Sequence, residues 1–308
     1  MPALSETQFA ARQYDLAATL DSGQCFRWQP DGNAWQGVIG SQWVWLQANL
    51  HGLNARTWPP VRDWTWLTHY LQIDLDLDRV LASFPAADPH LSAALSDCRG
   101  LRLLRQNPWE CLASFILSST KQIVQIRQIV DLLCRRFGDP LPHHPGIPPA
   151  WTFPRPESIA ARSEADLRAC KTGFRAPALL AAARRIVNRT LVLDELAGLP
   201  TSTARQRLME LPGVGEKIAN CVLLFAYGAQ DAFPMDVWVL KALRELYFAG
   251  QQVSRSTLDS FTRLHFGPHA GYAQQYLFHY MRVHRRRRLR HRSEEHSLNS
   301  SHGKLSRM

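Results

Sequence analysis

The chain has 308 residues, of which 45% are hydrophobic and 20% are charged, a balance typical of a folded globular protein. This length predicts a full core and about two domains. No apolar run reaches the roughly 18 residues that a membrane-spanning helix needs. The first residues, "MPALSETQFAARQYDL", also lack the layout of a signal peptide. An intracellular protein without a membrane partner is therefore predicted.

The formal net charge of +10 is unevenly distributed. Residues 285–308 carry eight Lys and Arg against two Glu, whereas residues 1–284 carry 28 basic and 24 acidic side chains. Residues 285–308 are also polar and poor in apolar residues, which predicts a basic disordered tail that can add non-specific attraction to phosphate. The charge alone therefore does not make the folded part a nucleic-acid-binding protein.

Cysteine spacing gives no sign of a metal site. The six cysteines, at positions 25, 98, 111, 134, 170 and 221, include no pair with the two-residue spacing of zinc or redox sites. Reduced, mostly buried thiols are predicted, and no four-cysteine cluster is present to hold iron and sulfur. No metal or organic cofactor is expected.

Residues 1–85 are predicted to form an antiparallel β-sheet domain. Seven of the ten tryptophans lie before residue 70, and aromatic residues favour strands. The stretch "QPDGNAW" reads as a hairpin turn, and "WQGVIG" and "QWVWLQ" read as the strands that continue the sheet.

Residues 86–284 have a helical pattern. Asn107 is predicted to cap one helix, with Glu110 completing a capping box, and Gly138 is predicted to end the next helix. "GFRAP" reads as a turn before a helix, and Asp236 starts the helix "VWVLKALRELYFAG". The predicted fold class is therefore α+β, an antiparallel sheet domain followed by an all-helical domain.

A helix-hairpin-helix is predicted at residues 203–227, with "LPGVG" as its hairpin. Gly213, Val214 and Gly215 form a tight backbone that can approach a phosphate, and the amides of the following helix point at it. Such a contact grips DNA without reading its sequence. The motif is shared by many non-catalytic modules, so the hairpin alone predicts DNA contact and no chemistry.

Lys217 lies in the first turn of the helix that follows the hairpin, where a phosphate clamp or a solvated lysine is the simpler interpretation. Three observations favour a nucleophile instead. The chain has five lysines against 31 arginines, yet it uses lysine here, and arginine cannot act as an amine nucleophile. The positive end of the helix dipole disfavours an ammonium. A carboxylate, Asp236, follows nineteen residues later.

Asp236 is by itself an ordinary N-cap, a role that also fixes the direction of its carboxylate. A lysine and a carboxylate in one cleft suit the cleavage of an N-glycosidic bond. The carboxylate stabilises positive charge developing on the sugar, and the amine attacks C1′ to give a Schiff base. β-Elimination from that Schiff base then breaks the strand 3′ to the sugar.

Several stretches resemble a known family. "LPGVGEKIANC" and "FPMDVWV" resemble the signature of the helix-hairpin-helix DNA glycosylases, including the lysine of the bifunctional members. "SGQCFRW" (22–28) and "GLRLLRQNPWECLASFILSS" (100–119) narrow the resemblance to the 8-oxoguanine DNA glycosylases, and "YLQIDLDL" and "GFRA" agree with it. The resemblance runs in order over about residues 10–283.

The resemblance implies roles for individual residues. Lys217 is implied as the Schiff-base nucleophile and Asp236 as the catalytic carboxylate. The backbone carbonyl of Gly23 is implied to accept from the N7–H of 8-oxoguanine, whereas N7 of guanine is an acceptor and would face that carbonyl unpaired.

Three further residues are implied to surround the flipped base. Cys221, one helical turn after Lys217, would pack on one side of it. Gln274 would bond its Watson–Crick edge and Phe278, four residues later, would stack on it. Without the resemblance, Cys221 is more simply a small core residue, and Gln274 and Phe278 are packing or surface residues.

DNA contacts are predicted at several exposed positions. Phe174 and Arg175 suit a wedge that fills the gap left by a flipped base, although a core-anchoring aromatic before Pro177 is an equal alternative. The predicted DNA-binding set is Gly213, Val214, Gly215, Thr120, Lys121, Phe174, Arg175 and Trp238.

The chain departs from the family pattern at several positions. Gln125 stands where the family has an arginine that reads the opposite cytosine, which leaves only Arg175 for that task. We therefore expect weaker discrimination for cytosine opposite the lesion. The other departures are Thr120, Lys121 and Gln122 in place of a run of asparagines, Trp238 in place of a histidine, and Met281 in place of an aspartate.

Taken together, the residues and the resemblance predict a monomeric, bifunctional DNA glycosylase and apurinic-site lyase that removes 8-oxoguanine from duplex DNA. One alternative is a monofunctional alkylbase glycosylase that uses water directed by Asp236. Another is a non-catalytic module that binds damaged DNA. Lys217 argues against the first alternative, and the presence of both Lys217 and Asp236 argues against the second.

Overall fold

The structure is a computed structural model that describes residues 3–119 and 121–284. Its first part is a five-stranded antiparallel sheet with the strand order β1-β5-β4-β3-β2. The predictions for Thr120 and for the basic tail at residues 285–308 lie outside the described residues. The strands are β1 (Ser5–Ala10), β2 (Gln29–Asp31), β3 (Ala34–Ile39), β4 (Gln42–Asn49) and β5 (Gly52–Trp58).

The predicted hairpins are confirmed. The β2–β3 hairpin closes between Asp31 and Ala34, and β3 pairs with β4 from Trp35 opposite Leu46 to Ile39 opposite Gln42. Gly52 begins β5 at a φ of 142°, and a Cβ built there would lie 2.0 Å from the carbonyl oxygen of Phe9. Only glycine therefore allows β1 to approach β5 so closely.

Helices cover the sheet and then form the second part of the chain. Short 3₁₀-helices at Gly173–Arg175, Leu193–Gly198 and Gly267–His269 join some of them. The helices are α1 (Leu16–Asp21), α2 (Thr65–Leu71), α3 (Leu77–Ala82), α4 (Pro89–Asp97), α5 (Pro108–Leu117), α6 (Ile123–Phe137), α7 (Pro156–Ala160), α8 (Glu164–Arg168), α9 (Ala176–Val187), α10 (Thr201–Met209), α11 (Glu216–Val222), α12 (Val237–Tyr247), α13 (Arg255–Phe266) and α14 (270–284).

Two hydrophobic clusters form the core. The smaller cluster joins the inner face of the sheet to α1 and α2, through residues such as Leu20, Leu46 and Leu71. The larger cluster lies among α3 to α14 and includes Leu112, Ile218 and Tyr276. The predicted α+β architecture is therefore confirmed. All six cysteines are free and buried, as predicted.

The predicted helix ends are mostly confirmed. Asn107 caps α5 by accepting from the Glu110 N–H at 3.1 Å, and Gly138 caps α6. A Cβ on Gly138 would lie 2.0 Å from the carbonyl oxygen of Thr152, so this position requires glycine. The predicted capping box at α5 is wrong in its second half, because the Glu110 carboxylate lies 3.8 Å from the Arg27 guanidinium instead.

The helix α11 continues as a π-helix over Leu223–Tyr227 and ends at Gly228. The carbonyl oxygen of Phe225, within this π-helix, accepts from the Gln106 N–H at 2.8 Å. The Gln106 side chain in turn donates to the carbonyl oxygen of Gln24 at 2.7 Å. Gln106 therefore links the helix that carries Lys217 to the turn that contains Gly23 by two hydrogen bonds.

Candidate active site

The helix-hairpin-helix forms as predicted from α10, the hairpin and α11. Gly213 adopts a φ of 76° at the hairpin, and Gly215 is the N-cap of α11. Both glycines are exposed, whereas Val214 is buried and donates its N–H to Leu211 at 3.1 Å. Val214 therefore anchors the hairpin in the core, and its N–H is already bonded within the hairpin.

Lys217 is half-buried in the first turn of α11 and faces the C-terminal end of α5. Its Nζ donates to the Oγ of Ser118 at 3.2 Å and lies 5.4 Å from the centroid of the Phe115 ring. Ser118 and Lys217 are 99 residues apart. No local pattern in the sequence identifies Ser118 or Phe115 as neighbours of the lysine, and both were missed.

Asp236 is the N-cap of α12, as predicted, and its Oδ1 accepts from the Val239 N–H at 2.8 Å. Burial raises the pKa of this carboxyl above its ordinary value. The Val239 N–H, the charge of Lys217 and the Trp238 N–H each lower the pKa, but burial outweighs them. The hydrogen bond from the Val239 N–H thus fixes the orientation of the carboxylate, which is partly buried and interacts with the charge of Lys217.

Cys221 completes this cluster, since it follows Lys217 by one turn of α11. Its side chain is buried with 4% of the residue surface exposed, and burial raises the pKa of the thiol to about 11. The charge of Lys217 lowers that pKa and the charge of Asp236 raises it, so all three groups interact. Cys221 is therefore a neutral thiol at physiological pH. The structure brings together three of the predicted site residues.

Gly23 forms a second cluster with Phe278 and Ile123. Gly23 adopts a φ of 84°, and a Cβ built on it would lie 2.8 Å from Ile123 Cδ1 and 3.5 Å from Phe278 Cε1. Gly23 and Phe278 are thus neighbours, as the resemblance implied. Ile123, the first residue of α6, was missed, because an apolar residue in a helical pattern predicts only core packing.

The turn that presents Gly23 is held by buried amides. The Gln275 Nε2 donates to the carbonyl oxygen of Ser22 at 3.1 Å. The buried Gln24 side chain donates to the carbonyl oxygen of Arg102 at 2.8 Å and accepts from the Leu104 N–H at 2.8 Å. Because these partners come from α14 and from the segment before α5, two separate segments of the helical part hold the turn that presents the Gly23 carbonyl.

Gln274 lies beside this turn on α14, with only 4% of its surface exposed. Its Oε1 is buried and has no hydrogen-bond partner within the part of the chain that the structure describes. A buried amide oxygen without a donor is unfavourable by about 1–3 kcal/mol. A ligand that carries an N–H group would remove this cost, which fits the predicted role of Gln274 toward a base edge.

The predicted wedge lies against the hairpin. The Phe174 ring is 59% exposed, so the alternative of a core-anchoring aromatic is wrong. The Arg175 guanidinium lies over this ring at 4.8 Å from its centroid, and its Nη1 donates to the carbonyl oxygen of Gly213 at 3.4 Å. The predicted wedge and the hairpin therefore form one surface.

Two more of the predicted DNA-binding residues, Trp238 and Lys121, lie near the cluster of Lys217, Asp236 and Cys221. Trp238 is 43% exposed, next to Asp236, and the Lys121 N–H donates to the carbonyl oxygen of Ser118 at 3.3 Å. Gln125 is occupied locally, since its Oε1 accepts from the Gln122 N–H at 2.9 Å and caps α6.

Two cavities, of about 160 and 140 Å³, lie away from this site, between the sheet, α6 and the proline-rich segment 139–155. None of the predicted site residues lines either cavity.

Among residues 3–119 and 121–284, no group of three His, Cys, Asp or Glu side chains is placed to hold a metal ion. No helix of the same ranges has the length and hydrophobicity to cross a membrane.

Comparison with known proteins places this geometry in a family. A family model for the 8-oxoguanine DNA glycosylase N-terminal domain matches residues 7–112, and one for the HhH-GPD superfamily of base excision DNA repair proteins matches residues 113–263. A probable N-glycosylase/DNA lyase of Methanothermobacter thermautotrophicus is 30% identical over 215 residues, which cover 63% of this chain and 68% of the relative. The chain belongs to the 8-oxoguanine DNA glycosylases of the HhH-GPD superfamily.

Other similar proteins agree with this family assignment. The N-glycosylase/DNA lyase OGG1 of Arabidopsis thaliana is 28% identical over 283 residues, which cover 85% of this glycosylase and 76% of the relative. A solved structure of Clostridium acetobutylicum 8-oxoguanine glycosylase/lyase, in complex with duplex DNA containing cytosine opposite 8-oxoguanine, superposes with a TM-score of 0.83 at 28% identity. That superposition covers 92% of this chain and 98% of the other. This protein is thus a DNA N-glycosylase with DNA lyase activity.

Proposed function

We propose that this glycosylase removes 8-oxoguanine from duplex DNA and then cleaves the strand through a Schiff base on Lys217. The observation that carries the proposal is the cluster of Lys217 and Cys221, on the helix that follows the hairpin, with Asp236 at the N-cap of α12. The cluster places the amine of Lys217 close enough to the carboxylate of Asp236 for their charges to interact. The solved relative bound to duplex DNA with 8-oxoguanine supports the choice of substrate.

DNA binding would use the surface formed by the hairpin and the wedge. The exposed backbone of Gly213 and Gly215 approaches a phosphate, and the first amides of α11 donate to it. Phe174 would fill the gap in the duplex left by the extruded nucleotide. Arg175, which now bonds the Gly213 carbonyl, would then face the unpaired opposite base.

Base selection would depend on Gly23 and Gln274. The Gly23 carbonyl accepts from the N7–H of 8-oxoguanine, whereas guanine offers only an acceptor at N7 and leaves the carbonyl unpaired. The Gln274 Oε1 accepts from the Watson–Crick edge of the base, which carries N–H donors. Phe278 and Cys221 would pack on the two faces of the flipped base.

The chemistry would be shared between Asp236 and Lys217. As the bond between the base and C1′ breaks, its electrons leave with the base, and the Asp236 carboxylate stabilises the positive charge on the sugar. The neutral Lys217 amine forms a bond to C1′ and, after ring opening and loss of a proton, a Schiff base. Removal of a C2′ proton then expels the 3′ phosphate.

The other two candidate functions are less consistent with the site. A monofunctional alkylbase glycosylase needs Asp236 and a water, and it makes no use of an amine beside them. A binding module needs the hairpin alone. We also propose that the chain divides into residues 1–85, 86–284 and 285–308 and that the enzyme is a monomer.

Trapping with borohydride tests the proposed function. On a duplex with 8-oxoguanine, borohydride reduces a Schiff base to a stable covalent adduct, so the wild-type enzyme should give a band of increased mass. Lys217→Gln should abolish the adduct and leave duplex binding largely intact. Lys241→Gln is the matched control, since Lys241 lies exposed on α12 and pairs with Glu245. A wild-type enzyme that excises the base without an adduct would refute the lyase mechanism.

A further inference from the structure

We propose that Ser118 is a positioning residue for Lys217, a role that rests on the proposed function of that lysine. The Ser118 hydroxyl lies at the C-cap of α5 and accepts a hydrogen bond from the Lys217 Nζ at 3.2 Å. Ser118 thus reaches the nucleophile from a helix remote in sequence.

The orientation of the hydroxyl is determined by a second bond. The Ser118 Oγ donates its only proton to the carbonyl oxygen of Phe115 at 2.8 Å, one turn earlier in α5. A serine oxygen that has donated its proton presents lone pairs to other donors. The Lys217 amino group therefore meets an acceptor with a fixed direction.

The ring of Phe115 is the second contact of the Lys217 amino group, beside the Ser118 hydroxyl. Lys217 Nζ lies 5.4 Å from the centroid of the ring, which itself stacks on Phe225 at 5.6 Å with an interplanar angle of 18°. Phe225 belongs to the π-helix that continues α11. The surroundings of the Lys217 amino group are therefore built from α5, and α5 packs through Phe225 on the same helix that carries the lysine.

The consequence concerns the direction of the amine lone pair. A lysine side chain has four rotatable bonds, and a free amine would point its lone pair in many directions. When one N–H of the neutral amine donates to Ser118, the lone pair must point away from Ser118 and can face C1′. Alignment of this kind governs the rate of a nucleophilic attack, and a small misplacement slows it by about 10- to 100-fold.

The test compares Ser118→Ala, Ser118→Thr and a matched control in single-turnover borohydride trapping on an 8-oxoguanine duplex. Ser83→Ala is the control, because the Ser83 hydroxyl caps α3 and donates to the Val80 carbonyl at 2.7 Å, the same local bond without a lysine. Duplex affinity and the melting temperature are measured for each variant, which separates a loss of binding or folding from a loss of alignment.

We expect Ser118→Ala to slow adduct formation by about 10-fold or more, with unchanged duplex affinity. Ser118→Thr keeps the hydroxyl and should restore most of the rate, and Ser83→Ala should trap at the wild-type rate. Wild-type trapping in Ser118→Ala, or a loss that threonine does not restore, would overturn the role of Ser118. Failure of the wild-type enzyme to trap any adduct would instead overturn the proposed function.

Discussion

At the scale of single residues, two opposed effects act on the Asp236 carboxylate: burial disfavours its ionised form, and its hydrogen bonds and Lys217 favour it. Its carboxylate caps α12 and lies beside Lys217, yet burial raises its pKa, so the ionised form is less favourable in the folded chain than in the unfolded one. Asparagine caps a helix as well as aspartate does. Asp236→Asn therefore removes the buried charge and keeps the cap.

We predict that Asp236→Asn strongly reduces excision and stabilises the fold near neutral pH. Because the folded pKa is raised, the folded chain binds more protons between the unfolded value of about 3.9 and the folded value, so ionisation costs stability. That cost is absent below the unfolded pKa and complete above the folded pKa. The melting temperature of the variant should exceed that of the wild type by about 1–3 °C at pH 7 and by less at pH 4.5.

The control for this prediction is Asp76→Asn, which changes a surface cap of α3 in the same way. Thermal unfolding of both variants between pH 4.5 and 8 is the measurement. A wild type that is more stable than Asp236→Asn throughout this range would show that the attraction to Lys217 outweighs the burial of the carboxylate.

At the scale of elements, the start of α6 bears on the reading of the opposite base. Gln125, which stands where the resemblance implies an arginine, uses its amide oxygen to cap α6 through the Gln122 N–H. A neutral side chain occupied in this way offers no cation to a cytosine. Arg175 is then the remaining guanidinium among the residues predicted for this task, and it bonds the hairpin at Gly213.

We therefore predict comparable single-turnover excision rates for 8-oxoguanine opposite all four bases. One bidentate contact to a base is worth about 1–3 kcal/mol, so the missing arginine removes a corresponding discrimination. Gln125→Arg should raise the rate opposite cytosine relative to adenine, and Gln128→Arg on the same helix should not. A steep cytosine preference in the wild type would contradict this prediction.

Local patterns predicted most of the elements. The β2–β3 hairpin, the Asn107 cap and the Asp236 cap each depend on residues within four positions of one another, and all three are confirmed. The second half of the α5 capping box failed because Glu110 turns toward Arg27, a residue of the sheet region that local spacing does not reveal.

The site was predictable only in part, for the same physical reason. Lys217 and Cys221 share one helix face, so their proximity follows from helical geometry. The hydrogen bond from Lys217 to Ser118 joins α11 to α5, and Ile123 approaches Gly23 only when α6 is placed against the turn that follows α1. Such contacts depend on tertiary packing, which a single sequence does not encode in any short pattern.

At the scale of the whole molecule, charge is divided between the catalytic body and the C-terminal segment. Residues 285–308 carry a net charge of +6, against +4 for the rest of the chain. The predicted site residues all lie before this segment. Residues 285–308 should therefore affect the affinity for the duplex and leave the rate of base excision unchanged.

We predict that a chain ending at His284 binds undamaged duplex more weakly and with a shallower salt dependence. For each phosphate that the shortened chain no longer neutralises, the slope of log K against log salt becomes shallower by about 0.9. The excision rate at saturating enzyme should not change. Titrations of labelled duplex at several KCl concentrations measure the slope, and equal slopes for both chains would show that the segment does not bind DNA.

The π-helix that follows α11 has a consequence for how this enzyme can diverge. A π-helical turn spans one more residue than an α-helical turn, so deleting one residue from Leu223–Tyr227 would restore ordinary winding. The carbonyl of Phe225 would then rotate away from Gln106 and loosen the route to Gly23. A deletion of one codon would thus change the spacing between Lys217 and Gly23, the proposed nucleophile and the proposed reader of the lesion, without substituting either residue.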